Sequence, residues 1–263
     1  GLAVGTIEVA LNLEADRVEY RLGRRIMNRA HAFWSLGFFG TGIIGAIVAQ
    51  LGVFVLVHFI CFGIIALAVT IVIFMRYQPA PHRPSAPETT PMFVRPTHAV
   101  MILVYLTLPA MLAEGSAIDW SVIYMRDVFD TPPFINGLAL ALTAFCQFIT
   151  RFFADRYVDR FGPRKIVQNC LWLILAGSLM IIFSPYWILS LLGFACLGAG
   201  SSVIFPLAMS AAAQLEDRPA AVNIAALAQI SFCVFLAAPP LLGLVAEQAG
   251  IRVAFSLCLP LIL

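Results

Sequence analysis

The sequence predicts an all-helical, polytopic transmembrane bundle, and three observations predict it: composition, the lengths of the apolar stretches, and the alternation of basic charge between them. Hydrophobic residues make up 61% of the 263 positions, charged ones only 11%, and 21 are Phe. That leaves too little polar surface to cover a water-soluble body of this size. A helix rising ~1.5 Å per residue needs about 20 mainly apolar residues to cross ~30 Å of hydrocarbon. Spans of this kind are read at 30–50, 53–75, 98–118, 134–153, 166–184, 186–210 and 220–246.

Taken in order, residues 1–13 are apolar but too short to cross alone, and read as the tail of an earlier span. Residues 251–263 read in the same way as the start of a later one. The chain is therefore expected to be truncated at both ends. Gly1 is no initiator and no basic run precedes the first apolar stretch, so a signal peptide is not expected. Span 30–50 carries Gly37, Thr41, Gly45 and Ala49 at spacing four, a small-residue ridge expected to let a partner helix approach closely. The connection 76–97 holds Pro79, Pro81, Pro84, Pro87, Pro91 and Pro96, and is expected to be an extended linker between a helical group at 1–75 and another at 98–263. Pro109, Pro206 and the Pro239-Pro240 pair are expected to interrupt or kink their spans and free backbone carbonyls for neighbouring side chains.

Fourteen of the sixteen basic residues fall in alternate gaps. Arg17, Arg21, Arg24, Arg25 and Arg29 fill the first gap, and Arg76, Arg83 and Arg95 the third. Arg151, Arg156, Arg160, Arg164 and Lys165 crowd the fifth, with Arg218 in the seventh. Only Arg126 and Arg252 fall between. Since basic residues near span ends stay on the cytoplasmic side, loops near 17–29, 76–97, 154–165 and 214–219 are expected there. Those near 119–133 and 247–250 are expected outside.

Several function classes find no support. The net charge of +2 forms no basic surface or aromatic-interleaved stripe, so a nucleic-acid partner is not expected. Cys61, Cys146, Cys170, Cys196, Cys233 and Cys258 each lie singly in apolar stretches, and His31, His58, His82 and His98 are scattered without zinc-ligand spacing. No hydrolase elbow, phosphate loop or dinucleotide fingerprint occurs, so neither a cofactor nor an enzymatic reaction is expected.

Polar residues stranded in apolar helices are the site candidates, because an ionisable group at the bilayer centre costs ~2.5–3.5 kcal/mol on insertion scales and generally faces a cavity. Glu8 and Asn12 share one helical face, with Gly5 leaving room beside them. They read either as a binding edge or as interhelical hydrogen-bonders. Glu114, five residues after Pro109, lies about 24 Å across the core when counted from His98, in its outer part. There it is read as a carboxylate that takes a proton from outside, with interhelical bonding as the rival. Asp119, about 140° round the helix, is placed at the water interface, where it stays ionised and draws cations toward the opening. Gln147, Asn169, Asn223 and Gln229 could line a pathway or bond neighbouring helices. Trp34 and Trp120 fit an interfacial belt as well as a sugar-stacking platform, and His31 reads as structural.

A weak repeat joins these pieces. Gly45-Ala-Ile-Val-Ala-Gln50-Leu-Gly52 parallels Gly243-Leu-Val-Ala-Glu-Gln248-Ala-Gly250, and Gly5-Thr6 parallels Gly200-Ser201 at nearly the same displacement. Two six-helix halves about an axis along the membrane normal would produce it. On that count, 1–13 belongs to a fourth helix, the spans after the linker are the seventh to eleventh, and a twelfth is cut short. In the gap between the eighth and ninth, Asp159-Arg160-Phe161-Gly162-Pro163-Arg164-Lys165 resembles the D-R-x-G-R-[RK] signature of the major facilitator superfamily. The resemblance implies that Asp159, Arg160, Gly162, Arg164 and Lys165 form a gating loop that holds one conformational state closed. Two departures stand out: Asp155 occupies a position where the family carries glycine, and Pro163 replaces the first basic residue. Glu8-Val-Ala-Leu-Asn12, Arg21-Leu-Gly-Arg-Arg25, His31-Ala-Phe-Trp34-Ser35-Leu-Gly37 and Glu114-Gly115 with Asp119-Trp120-Ser121 further resemble the MosC-like branch. Its substrates are poorly defined, with sugar-like solutes among the expectations. The resemblance implies a multi-pass bacterial inner-membrane secondary transporter moving a small polar solute by alternating access, with proton coupling as a secondary expectation. The alternative class is a non-transporting polytopic protein, a receptor or a membrane-embedded enzyme.

Overall fold

The computed structural model describes residues 2–23, 26–78, 80 and 94–262. All regular structure among them is helical: α1 (Leu2–Leu22), α2 (Met27–Gln50), α3 (Val55–Arg76), α4 (His98–Phe129), α5 (Pro133–Phe161), α6 (Pro163–Phe183), α7 (Trp187–Ser201), α8 (Ile204–Ala213), α9 (Ala220–Ala249) and α10 (Ile251–Ala254), then a single 3-10 turn. Seven stretches are long and apolar enough to cross a membrane, α7 and α8 counting together as Trp187–Ala213. They match the seven spans expected from hydropathy. The helices overrun those limits: α4 continues to Phe129 and α5 to Phe161. At 32 residues α4 is about 48 Å long, well beyond a ~30 Å core. Hydropathy marks only the lipid-facing length, whereas the hydrogen-bonded helix continues into polar surroundings. For the same reason Arg17 and Arg21 stand on α1 rather than in a loop.

Because lipid is as apolar as a leucine side chain, close backbone approach holds membrane helices together. α2 and α5 run antiparallel: Asn28 meets Asp155 at one end, and the Phe134 N–H donates to Gln50 Oε1 (3.1 Å) at the other. Between them Gly137 lies against Ala46 so closely that a Cβ on Gly137 would stand 2.4 Å from the alanine methyl. Gly42 likewise meets Ala141. Among the described residues, the row of α2 that meets a neighbour is thus not the expected Gly37, Thr41, Gly45, Ala49 series. Gly37 and Gly45 have open space beside them, and Phe33, Trp34, Gly37, Phe38 and Thr41 line a shallow cleft on the other side of α2. Spacing four identifies a row of small residues but does not say which row meets a neighbour. Gly198 of α7 faces Thr143 of α5, where any side chain would run into the threonine carbonyl.

Tyr124 organises the opposite end of α4. Its hydroxyl donates to the Ile181 carbonyl (2.6 Å), and its ring meets Phe129, Phe194 and Phe255 edge-on. Arg252 donates to the carbonyls of Ile182 (3.0 Å) and Ser184 (2.7 Å), satisfying the C-terminus of α6 while lying over the Phe129 ring. A second cluster, containing Val94, Val100, Val104, Ala208, Ala212, Ala226 and Leu227, joins α4, α8 and α9. α3 is exposed and apolar on all sides among the described residues, a surface fit for lipid.

The prolines behave differently from one another. α4 runs unbroken through Pro109 and α9 through Pro239 and Pro240, whereas the stretch around Pro206 divides at Ser202–Val203. Pro79, Pro81, Pro84, Pro87 and Pro91, together with Arg24, Arg25 and Arg83, lie outside the described residues. The flanks of the proline-rich connection are pinned: the Ala80 N–H donates to Glu14 Oε1 (2.5 Å), the Val94 N–H to Gln229 Oε1 (3.4 Å), and Arg218 to the Arg95 carbonyl (2.7 Å).

The described basic residues near the start of α2, the ends of α3 and α5, and the starts of α4 and α9 make one end of the bundle Arg-rich. If that end is cytoplasmic, a cysteine replacing exposed Gln78 on a cysteine-free background labels with a membrane-impermeant reagent only from inside. One replacing exposed Gln248 labels only from outside. Labelling of position 78 in intact cells would reverse the orientation.

Candidate functional site

Arg151 is the most constrained polar residue in the bundle interior. Its guanidinium reaches three helix segments at once: Nε donates to the Ser202 carbonyl (2.9 Å), Nη1 to Ser35 Oγ (2.8 Å) and Nη2 to Glu114 Oε1 (3.1 Å), with Oε2 at 3.4 Å. The Arg151 side chain is 9% exposed and that of Glu114 20%. A guanidinium stays protonated, so burying it requires a counter-charge and partners for its planar fork. Glu114 supplies the charge. Pro206, four residues after Ser202, has no N–H to give that carbonyl, which leaves it free to accept from Arg151. The freed carbonyl expected at Pro206 therefore has a specific user.

Ser35 Oγ also donates to the His31 carbonyl (3.5 Å), and the His31 ring lies within reach of the charges on both Arg151 and Glu114. The site thus gathers α2, α4, α5 and the α7–α8 break. Glu114 stands near the middle of α4, which runs on to Phe129. It is ion-paired rather than a lone carboxylate. Arg151, read from sequence as a loop charge, lies inside α5 ten residues before its end. The charge pattern concealed it, because four further basic residues follow within fourteen positions. The available signal was its place within the apolar stretch 134–153.

The other candidates disperse. Asp119 is exposed on α4, ten residues before the helix ends. Buried Gln147 donates to Ser201 Oγ (3.4 Å), tying α5 to α7. Gln229 is occupied by the backbone of Val94, and buried Asn223 by Asp217 Oδ1 (2.8 Å). Asn169 is exposed. Glu8 and Asn12 lie on α1, but their side chains fall outside the described residues. Trp34 is exposed beside Phe38, whereas Trp120 packs against Gly243 of α9.

At the Arg-rich end, Gly162 joins α5 to α6 with φ +81°, a conformation that favours glycine. Asp159, Arg160, Arg164 and Lys165 are exposed. Arg160 lies over the Phe161 ring, and Asp159 makes no hydrogen bond or ion pair among the described residues. The contact across the proline-rich connection comes from Asp155 instead, whose Oδ1 accepts from Asn28 Nδ2 (2.5 Å). Register singled out Asp159, whereas burial favours Asp155.

Residues 105–263 match the family model described as Major Facilitator Superfamily. An uncharacterized MFS-type transporter of Yersinia pestis is 29% identical, over 100% of this chain and 67% of its own length. The uncharacterized transporter y4wD of Sinorhizobium fredii is 29% identical over 97% of this chain and 67% of its own length. The membrane protein MosC of Rhizobium meliloti is 26% identical over 95% and 61% respectively. The chain spans about two thirds of the length of these relatives. No solved structure matches it.

Two outcomes follow from this geometry. Asp155→Ala removes a half-buried hydrogen bond between α2 and α5 and lowers stability in detergent by about 1–2 kcal/mol. Asp159→Ala, at an exposed site, changes it by less than about 0.5 kcal/mol. Thermal unfolding compares them, and a larger loss for Asp159→Ala would restore the register-based ranking. The second concerns Asp217, whose carboxyl is held below its ordinary value mainly by the Asn223 amide, with the Thr97 hydroxyl adding to the effect. A lowered folded value contributes stability above the ordinary Asp range, which is lost as pH falls through the lowered value. The protection of amides at the start of α9, taken relative to their intrinsic exchange rate at each pH, therefore stays constant from neutrality down to that range and falls only below it. Asp217→Asn abolishes the fall.

Proposed function

We propose that this chain, which belongs to the major facilitator superfamily, is the greater part of a secondary active transporter that moves a small polar solute by alternating access. The carrying observation is the Arg151–Glu114 pair with Ser35 and the Ser202 carbonyl. It is a buried charged centre shared by helices from both sides of the proline-rich connection. In this reading the segments before and after the connection are the two halves that rock against each other, and the four-way junction is where their motion is felt. α2 slides against α5 along a face of glycine and alanine, which offers little steric resistance.

Glu114 is the proton-coupling group in this proposal. When it takes a proton, Arg151 keeps only the neutral oxygens of Ser35 and Ser202 and is left a buried cation without an anion, which is costly. The arrangement around Arg151 must then change, by movement of α2 away from α5 or by arrival of solute oxygens. Protonation and conformation are thereby linked through one side chain. The solute is small and polar, sugar-like on the resemblance to the MosC-like branch, and the membrane is the bacterial inner membrane.

Solute screening of the full-length protein in proteoliposomes with an imposed pH gradient tests the reading, and no uptake or exchange of any polar solute would count against it. Glu114→Gln keeps size and hydrogen bonding but cannot exchange a proton. Proton-driven accumulation is lost while solute exchange remains, and normal accumulation in this variant would remove Glu114 from the coupling step. Arg151→Lys keeps the charge but loses the planar fork, so it reaches at most part of the three-way contact. Both exchange and accumulation fall by at least about tenfold, the rate equivalent of ~1.4 kcal/mol.

A further inference from the structure

The contact between Asn28 and Asp155 is incomplete as drawn from its heavy atoms. Asn28 Nδ2 donates to Asp155 Oδ1 at 2.5 Å, yet the remaining oxygen on each side, Asn28 Oδ1 and Asp155 Oδ2, is buried and has no partner. Two orphaned acceptors in one side-chain pair are unfavourable, because buried oxygens ordinarily find a donor. An amide beside a carboxyl has one fully complementary arrangement. The amide N–H bonds one carboxyl oxygen, and an acid O–H on the other returns a bond to the amide oxygen. In that arrangement a single proton on Asp155 Oδ2 would satisfy both orphans.

Other occupants fit less well. No group of three or more His, Cys, Asp or Glu side chains among the described residues could hold a metal ion, and hard cations take six or more oxygens. Nor does a described basic side chain neutralise Asp155. Arg151, one turn away on α5, is committed to Glu114, Ser35 and Ser202. Arg29 lies over the Phe152 ring, Arg156 and Asp159 are exposed, and His31 faces the Arg151–Glu114 pair. From α1, Glu19 accepts the Ile26 N–H and Glu14 the Ala80 N–H, while Arg17 pairs with Glu14. Arg164 and Lys165 of α6 are exposed, and α7 carries only Cys196.

We infer that Asp155 and Asn28 form a proton-binding site between α2 and α5 at the Arg-rich end, in which a protonated Asp155 clasps the two helices and loss of its proton loosens them. Asp155 stands where the family signature has glycine, so this clasp is an addition at that position. It is separate from proton coupling at Glu114. It rests on the reading of the Arg-rich end as the moving, cytoplasmic end, but its test needs no solute.

Ala32, fully buried one turn beyond Asn28 on α2, reports the opening when replaced by cysteine in a cysteine-free, full-length protein. In inside-out vesicles its maleimide labelling rate, normalised to a cysteine at exposed Gln78 to remove the thiol's own pH dependence, rises as pH increases. The rise is at most about tenfold per pH unit, the limit for one linked proton. Asp155→Asn supplies an N–H where the acid O–H stood, so labelling stays slow at every pH. Asp155→Gly removes the clasp, and labelling is fast at every pH. Difference infrared spectra show the carbonyl stretch of a protonated acid in the wild type, which disappears in Asp155→Asn. The inference is overturned by wild-type labelling that does not change with pH, by Asp155→Asn behaving like Asp155→Gly, or by absence of the acid band. Because these readouts register helix separation and protonation alone, they can succeed where solute transport fails, and the converse also holds.

Discussion

A guanidinium that cannot give up its proton has to be satisfied where it lies, and most of the placement of the central helices can be traced to that demand. Arg151 presents donors in three in-plane directions, each answered by a different segment: a serine on α2, a carboxylate on α4 and a main-chain carbonyl at the α7–α8 break. The carbonyl is available because Pro206 has no N–H for it. Two neighbouring features would be hard to explain singly but make sense together: the division of an apolar span at Ser202, and the presence of an arginine deep in α5. In a low-dielectric interior each justifies the other, and displacing one leaves an unmatched polar group.

Around this centre the helices are joined with very little polar material. Where α2 meets α5 and α5 meets α7, glycine against alanine or against a bare carbonyl lets backbones approach until no side chain would fit. Such faces give dispersion contact without interlocking, so they hold in lipid and still tolerate sliding. Apart from the Arg151 centre and the bonds of Thr143 and Gln147 to α7, directional bonds between helices gather toward the two ends of the bundle. Tyr124 and Arg252 tie α4, α6 and the segment after α9 at one end. Asn28, Asp155, Arg218 and Asp217 act at the other. Under the proposed alternating access, a bundle with apolar faces and polar ends would open at one end at a time.

The Arg-rich end also shows how burial and sequence register can part. Asp159 through Lys165 has the family's spacing, and Gly162 serves its turn, yet these charges face outward while Asp155, a departure from the pattern, reaches across to α2. A helix ends a few residues beyond Asp155, so its side chain still points into the helix interface while Asp159 has passed beyond it. A single turn decides which acid makes the contact.

Much of the architecture was legible in the chain itself. The seven spans, the small-residue character of α2 and the polar stretches between helices follow from hydropathy and charge, because a bilayer imposes one length and one solvent on every crossing. Pro206 as the source of a usable carbonyl was legible for a similar reason, since the missing N–H is a local property. Pairings were not. That Arg151 is an interior ion-pair partner and not a loop charge, that α2 uses the Gly42 and Ala46 row rather than Gly37 and Gly45, and that Asp155 rather than Asp159 spans the interface all depend on how each helix is rotated against its neighbours. One residue along a helix turns the side chain by about 100°, and an apolar sequence in lipid scarcely distinguishes one face from another. Only the summed packing of several helices fixes that rotation, and with it which polar groups meet.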